Sequence, residues 1–283
     1  MSGVVVCLWL IASFIIVHPC DMTKIGSRIQ RVSSPSARRY SEVMAKARKS
    51  SKAPRGRARV QPLTFLWRWT YRIAVISVVV VLGVIAAHRV IAPPPTFYMG
   101  QEARRLAGIT HDWVPMTQIA PVMARSLVAA EDANFCRHWG FDMAAIRVAI
   151  AEGSGRGAST LSQQVVKNVY LWHGRTWARK ALEATLTPVV EAFWPKRRIV
   201  EVYLNVAEFD TGVFGIEAAA KHYFGVSAAD LSAVQAARLA AVLPDPKGRS
   251  ASKPGPFVRA RSAAISDGAA TIARDGRAAC FED

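Results

Sequence analysis

Gly157-Ala158-Ser159-Thr160-Leu161-Ser162-Gln163-Gln164-Val165-Val166-Lys167-Asn168 is the stretch on which the reading of this chain turns. Thr160 followed three residues later by Gln163 has the form of a capping box, in which each side chain satisfies a backbone N–H of the other residue. A helix is therefore predicted from there to about Leu171. Within it Leu161, Val165 and Val169 share an apolar face, while Gln163 with Lys167 and Gln164 with Asn168 stack one turn apart on a polar face. The glycine-rich run Gly153-Ser154-Gly155-Arg156-Gly157 just upstream must be a loop. A loop feeding a helix N-terminus offers an anion free N–H groups and a favourable dipole, here with Arg156 and Lys167 nearby. An ordinary amphipathic surface helix fits the same residues. No Walker pattern is present, so the loop is not a nucleotide P-loop.

Working outward, helical periodicity continues on both sides and strand signals are few. Pro121 suits a first helical position, with Val122, Met123, Leu127 and Val128 as the apolar stripe behind it. Thr176 opens a further helix, with a kink expected at Pro188. Lys196–Asn205, Ile216–Phe224 and Leu231–Leu243 read as helices, and 210–215 as a turn. The expected fold is mainly α.

Charge is distributed unevenly. Residues 22–72 carry 14 Lys and Arg against Glu42 alone, whereas from Ile73 onward there are 23 basic and 18 acidic residues. A nucleic-acid surface would need the excess on the folded part, so no nucleic-acid partner is expected. The basic segment instead precedes an apolar run from Ile73 to Ala92, about the 20 residues that span a bilayer core if Arg89 snorkels to the interface. Trp67, Trp69 and Tyr71 supply an aromatic belt before it. By the positive-inside tendency, 22–72 stays in the cytoplasm and everything after Pro93 lies outside. Residues 1–21 are apolar without a basic start, fitting a second span or an upstream false start better than a signal peptide. Four cysteines, Cys7, Cys20, Cys136 and Cys280, show no CxxC pair and no zinc spacing. Cys136 and Cys280 would both face an oxidising compartment and could pair, but are read as two unpaired small hydrophobes.

Two glutamates flank the central helix. Glu131 closes the Pro121 helix in Glu131-Asp132-Ala133-Asn134-Phe135-Cys136-Arg137-His138-Trp139-Gly140. A carboxylate at the edge of an apolar surface is desolvated and becomes a better proton acceptor near neutral pH; a solvated Glu-Asp pair at a helix end is the plainer alternative. Glu183 shares a face with Arg175 and Arg179, with Lys180 beside it. That pattern is either a helical salt bridge of about 0.3–0.5 kcal/mol or a cationic cradle for a diphosphate opposite Glu131. Glu201 and Asn205 stack on the Lys196 helix, where structural and catalytic roles are both open.

The order of these segments is more specific than any one of them. Glu131–Gly140, Gly157–Asn168, Arg179–Glu183 and Lys196–Asn205 resemble, in sequence, the motifs ED-x-x-F-x-x-H-x-G, G-x-S-T-[IL]-x-Q-Q-x-x-K-N, R-K-x-x-E and K-x-x-I-[LV]-E-x-Y-L-N of the family 51 glycosyltransferases, the peptidoglycan polymerases. One departure is Gln235, where the family's fifth motif usually has a glutamate, which weakens the case for an ion pair there. Of a transpeptidase domain's motifs, S-x-x-K is met by Ser250-Ala251-Ser252-Lys253, but K-T-G is absent from the sequence, so the resemblance is to the monofunctional members.

The resemblance implies a lysozyme-like domain over about 95–260, behind a transmembrane helix at 73–92 and followed by a C-terminal extension, 261–283. It implies polymerisation of lipid II onto a growing lipid-linked glycan with release of undecaprenyl diphosphate, inverting at the donor carbon. Glu131 would be the general base, and Glu183 the second catalytic carboxylate, acting through a divalent cation (Mg²⁺ or Mn²⁺) or by holding the basic side chains. No organic cofactor is implied. Asp132, Phe135, His138, Ser159, Thr160, Gln163, Gln164, Lys167, Asn168, Arg179, Lys180 and Glu201 would line the substrate site. The expected setting is the bacterial inner membrane, single-pass, with the domain on the periplasmic side and other cell-wall synthesis or division proteins as partners. A peptidoglycan hydrolase or lytic transglycosylase, and a non-catalytic membrane scaffold, are the rival readings.

Overall fold

A computed structural model describes residues 62–153, 159–174 and 176–282. The apolar segment 1–21, most of the basic tail, Arg156, Gly157 and Arg175 lie outside the described residues. Two compact units divide the chain, Met1–Phe65 and Leu66–Asp283, and the contacts described belong to the second.

The first helix, α1 (Pro62–Ala87), contains one segment long and apolar enough to cross a membrane, Phe65–Ala87. Among its described side chains most are exposed, Val78, Val79 and Val80 included, and Ile85 near its end is the one fully buried. The sequence reading placed the span at Ile73–Ala92; the helix instead begins earlier and stops at Ala87. The reason lies in the bonds made at and just beyond its end. Trp194 Nε1 donates to Ile85 O at 2.7 Å, Arg198 donates to His88 O at 3.0 Å and Ile91 O at 2.7 Å, and Arg89 donates to Phe193 O at 2.8 Å. Residues 88–91 therefore belong to the domain's surface, and Arg89 is bonded there.

Beyond the Pro93-Pro94-Pro95 exit come α2 (Phe97–Leu106), β1 (Thr110–His111), α3 (Pro121–Glu131), α4 (Met143–Ala151), α5 (Leu161–Tyr170), α6 (Trp177–Phe193) and α7 (Lys196–Val206). They are succeeded by β2 (Glu208–Asp210), β3 (Val213–Phe214), α8 (Ile216–Phe224), α9 (Ala233–Val242), α10 (Pro256–Arg274) and α11 (Ala279–Glu282). The mainly helical expectation holds. The segment read as a turn, 210–215, contains β3, which pairs parallel with β1 and antiparallel with β2. Two-residue strands carry no periodicity to detect, and only Thr211 and Gly212 form the bend.

α3, α9 and α10 pack on one another, and α5 lies between α6 and α7. The core joins Met123 and Leu127 of α3, Leu161 of α5, Ile199 and Leu204 of α7, Ile216 of α8, and Phe135, Phe209, Phe214 and Phe281, all fully buried. The boundary expected at 260/261 falls inside α10, whose Val258, Ile265, Ala269 and Ile272 are buried.

One expectation is overturned outright. Cys136 and Cys280 are joined by a disulfide that closes 144 residues of sequence. Phe281 beside Cys280 inserts fully into the core, and Arg197 donates to Glu282 O at 2.6 Å. These contacts bring the chain's end onto the loop that leads away from Glu131.

Candidate active site

Thr160 opens α5 as the spacing predicts. Its hydroxyl accepts from Gln163 N at 3.3 Å while Gln163 Oε1 accepts from Thr160 N at 3.0 Å. The Thr160 hydroxyl also donates to Gly140 O at 2.7 Å. Gly140 sits at φ +88°, and a Cβ there would lie 2.8 Å from Thr187 Cγ2 of α6, so only glycine lets the loop approach this closely. Asp132 completes the join: its Oδ2 accepts from Leu161 N at 3.0 Å and its Oδ1 meets His138 Nε2 at 2.8 Å. A carboxylate at a helix N-terminus is stabilised by the free N–H groups and the dipole. Asp132, His138, Thr160 and Gln163 thus fasten the Glu131 loop to α5, with His138 Nδ1 left buried and unpartnered among the described residues.

Glu131 is held from that same helix. Gln164 Nε2 donates to Glu131 Oε2 at 3.0 Å, and Gln164 Oε1 accepts from the Tyr203 hydroxyl at 3.1 Å. Burial, with Glu131 adding to it, pushes the Tyr203 phenol well above its ordinary range. It therefore stays a donor and fixes which end of the Gln164 amide faces the carboxylate. One turn further along α5, the Lys167 ammonium takes no hydrogen bond or ion pair among the described residues. Burial lowers its pKa, with Glu183 and Glu131 pulling it back up and Arg179 and Lys180 pushing it down. Lys167 is thus within electrostatic reach of both glutamates.

Glu183 is buried, its side chain 3 % exposed, beneath two cations. Arg179 Nη1 donates to its Oε2 at 2.7 Å, and Lys180 Nζ bonds its Oε1. Lys180 also reaches Ser159 Oγ at 3.3 Å, which ties this group to the mouth of α5. With both oxygens taken, Glu183 would have to release a cation to ligate a metal. Among the described residues no three His, Cys, Asp or Glu side chains cluster in a metal-binding arrangement.

A cavity of about 320 Å³ opens beside these groups, lined by Gln164, Lys167, Asn168, Tyr203, Tyr98, His173, Glu208 and Lys247. At its far side Tyr98 stacks on His173 at 3.9 Å between centroids and donates to Glu208 Oε2 at 2.8 Å. His173 keeps one edge toward solvent, yet desolvation, then Lys167 and Arg179, push it down to about 4.

The structure therefore gathers Glu131, Gln164, Lys167 and Asn168 on one path, and Arg179, Lys180, Glu183 and Ser159 on another that meets it at Lys167. It does not bring all the candidates there. Phe135 is fully enclosed in the core with the Lys196 ammonium 4.1 Å from its ring centroid. Glu201 bonds Arg198 and accepts from Met116 N at 3.2 Å, so its carboxylate is engaged away from both glutamates; Glu131 and Glu183 themselves stand beside the cavity rather than in its lining. Asn205 is spent on both backbone groups of Val114.

Residues the sequence reading passed over include Glu191, which bonds Ser162 Oγ and accepts from Lys196 Nζ at 2.8 Å, and Arg261 of α10, 3.8 Å from Glu131 Oε1. Neither has a partner at the three- or four-residue spacing of a helix face, so no helical pattern signals it. Tyr203 sits inside the fourth motif but is not among the residues the sequence puts forward for the site.

Residues 99–270 match the family model described as Transglycosylase. A biosynthetic peptidoglycan transglycosylase of Jannaschia sp. is 60 % identical over 238 residues, covering 84 % of this chain and 99 % of that protein. Proteins of the same name from Caulobacter vibrioides and Salmonella arizonae are 47 % and 48 % identical, covering 71 % and 73 % of this chain and 91 % and 90 % of their own lengths. With the helical fold and the ordered motifs already placed, these matches make the chain a member of the transglycosylase family, whose domain has the lysozyme-like fold.

Proposed function

We infer that this chain is a peptidoglycan glycosyltransferase that polymerises lipid II, with Glu131 as general base. The observation that carries the assignment of roles is Lys167, a half-buried ammonium that lines the cavity without a bonded partner among the described residues and senses both Glu131 and Glu183. Glu131 removes the proton from the 4-hydroxyl of the acceptor sugar as that oxygen attacks the donor's anomeric carbon. The bond from that carbon to the diphosphate breaks on the opposite face, so an α-linked donor becomes a β-1,4 product. The departing diphosphate takes the electron pair, and Lys167, Arg179 and Lys180 stabilise its charge, as preorganised cations do in a site shielded from water. Such a leaving group needs charge stabilisation more than protonation, which fits a single base with a cluster of cations. Gln164 and Tyr203 orient the base.

For Glu183 we propose that it holds Arg179 and Lys180 in place, because both its oxygens are already engaged by them. A divalent cation is the competing role. Chelation and return of Mg²⁺ or Mn²⁺ to wild type and Glu183→Gln separates the two: a rate that needs the metal only when Glu183 is present assigns the cation there.

We place the domain outside the cytoplasm, anchored by α1. The basic excess before α1 and the disulfide support that orientation, since disulfides persist in oxidising compartments. Other cell-wall synthesis or division proteins are proposed as partners at that surface.

The test is lipid II polymerisation by the detergent-solubilised chain. Glycan from wild type and at least a hundredfold less from Glu131→Gln is expected, a loss of about the size general-base removal causes. No glycan from a folded wild type, or cleavage of finished sacculi instead, would overturn the reading.

A further inference from the structure

The helices α3 and α10 meet where both present small residues. Gly268 of α10 has no side chain, and a Cβ built there would lie 3.1 Å from the Cβ of Ala129. Arg261 lies seven residues before Gly268, two turns back along the same face. Close approach at Gly268 thus presents Arg261 to the end of α3. Its Nη2 donates to Ala130 O at 3.2 Å and stands 3.8 Å from Glu131 Oε1. The last carbonyls of a helix lack intrahelical partners, and a cation there is favoured by the dipole. The Arg261 Nε is buried with no partner among the described residues, so the scaffold does not otherwise hold the guanidinium.

Glu131 is consequently gripped from two sides by elements remote in sequence. Oε2 accepts from Gln164 on α5, and Oε1 faces Arg261 on α10. At 3.8 Å the second contact is an ion pair rather than a hydrogen bond. Gln164 supplies the directional bond, and the ion pair draws Oε1 toward α10 without occupying the lone pair that must take the proton. Lys167 and Tyr203 are the other titratable groups that sense Glu131.

We propose that Arg261 is a positioning residue that aims the Glu131 carboxylate at the acceptor hydroxyl. This rests on the reading of Glu131 as the base. The test compares Arg261→Met and Arg261→Lys in the full-length, detergent-solubilised chain. In lipid II polymerisation Arg261→Met is expected to lose about tenfold in kcat with KM within about twofold of wild type, the signature of an interaction used in the transition state. Arg261→Lys keeps the charge and is expected to recover most of that loss. Equal losses in both variants, a rise in KM with kcat unchanged, or wild-type rates in Arg261→Met would overturn the proposal. A second arm needs no substrate: melting temperatures of Arg261→Met, Glu131→Gln and the double variant. Non-additive shifts are expected, and strictly additive ones would remove the contact. If wild type makes no glycan while the shifts are non-additive, the assigned reaction fails and the contact stands. If Arg261→Met does not fold, Arg261→Lys with Glu131→Gln completes the cycle.

Discussion

At the scale of single residues, direction matters as much as proximity. Tyr203 is kept protonated by burial, donates to Gln164, and so obliges that amide to offer its N–H to Glu131. A similar economy appears across the cavity at Glu102 of α2. It bonds Arg105 at 2.5 Å and Lys247 at 2.9 Å, and these two cations lower its pKa to about 2. Its folded value lies below its unfolded one, so the stability it contributes is present above about pH 4.5 and is lost as pH falls toward 2. Thermal melts of Glu102→Gln against wild type should show a lower midpoint at neutral pH, with the gap narrowing below pH 4.5 and closing near pH 2. The residues legible in the sequence are those whose partners are close along the chain. Thr160 with Gln163 announces its capping box at three residues' spacing, as do Arg179 and Glu183 their pairing. Gln235, noted as a departure from the family pattern, closes a second box with Ser232, accepting from its N–H at 2.9 Å, so the amide serves that helix start. Glu191 was illegible because its partners, Ser162 and Lys196, are assembled only by packing three helices together.

At the scale of elements, the long helices were readable from their apolar stripes, and the errors fall where stripes are too short or contacts too distant. β3 is two residues long, and α11 four. That short last helix is nevertheless pinned by the disulfide, by Arg197 at Glu282 O, and by Arg125 at 3.2 Å from Glu282 Oε1. The cross-link removes much of the freedom of an unfolded loop of 144 residues. By loop-closure reasoning that is about 5 kcal/mol, as an upper figure for real proteins. Cys280→Ser should therefore unfold at lower urea concentration than oxidised wild type, and reductant should bring wild type down to meet it while leaving the variant unmoved. A midpoint insensitive to both would show that the packing of Phe281 suffices alone. The sequence reading missed this pair because nothing near Cys136 points to Cys280.

At the scale of the whole molecule, the junction between α1 and the domain is a set of bonds rather than a bare linker. Arg198 alone serves two backbone carbonyls in the exit segment and Glu201 behind it. Arg198→Met takes the donor from both carbonyls and leaves Glu201 only Met116 N, at a cost of about 1–3 kcal/mol. Limited trypsin digestion with mass-spectrometric readout should then find faster cleavage at Arg89 than in wild type; unchanged cleavage would mean that Trp194 and Phe193 hold the segment unaided. On the proposed membrane anchoring, this junction bears on how the domain meets its substrates. A domain on a slack tether would have to settle its height and tilt afresh at every encounter with a lipid-borne sugar, and that ordering would be charged against each turnover. Here the ordering has been done once, during folding. With α1 as the proposed anchor, the helix works less as a leash than as a ruler, setting how far above the lipid surface a bond can be made.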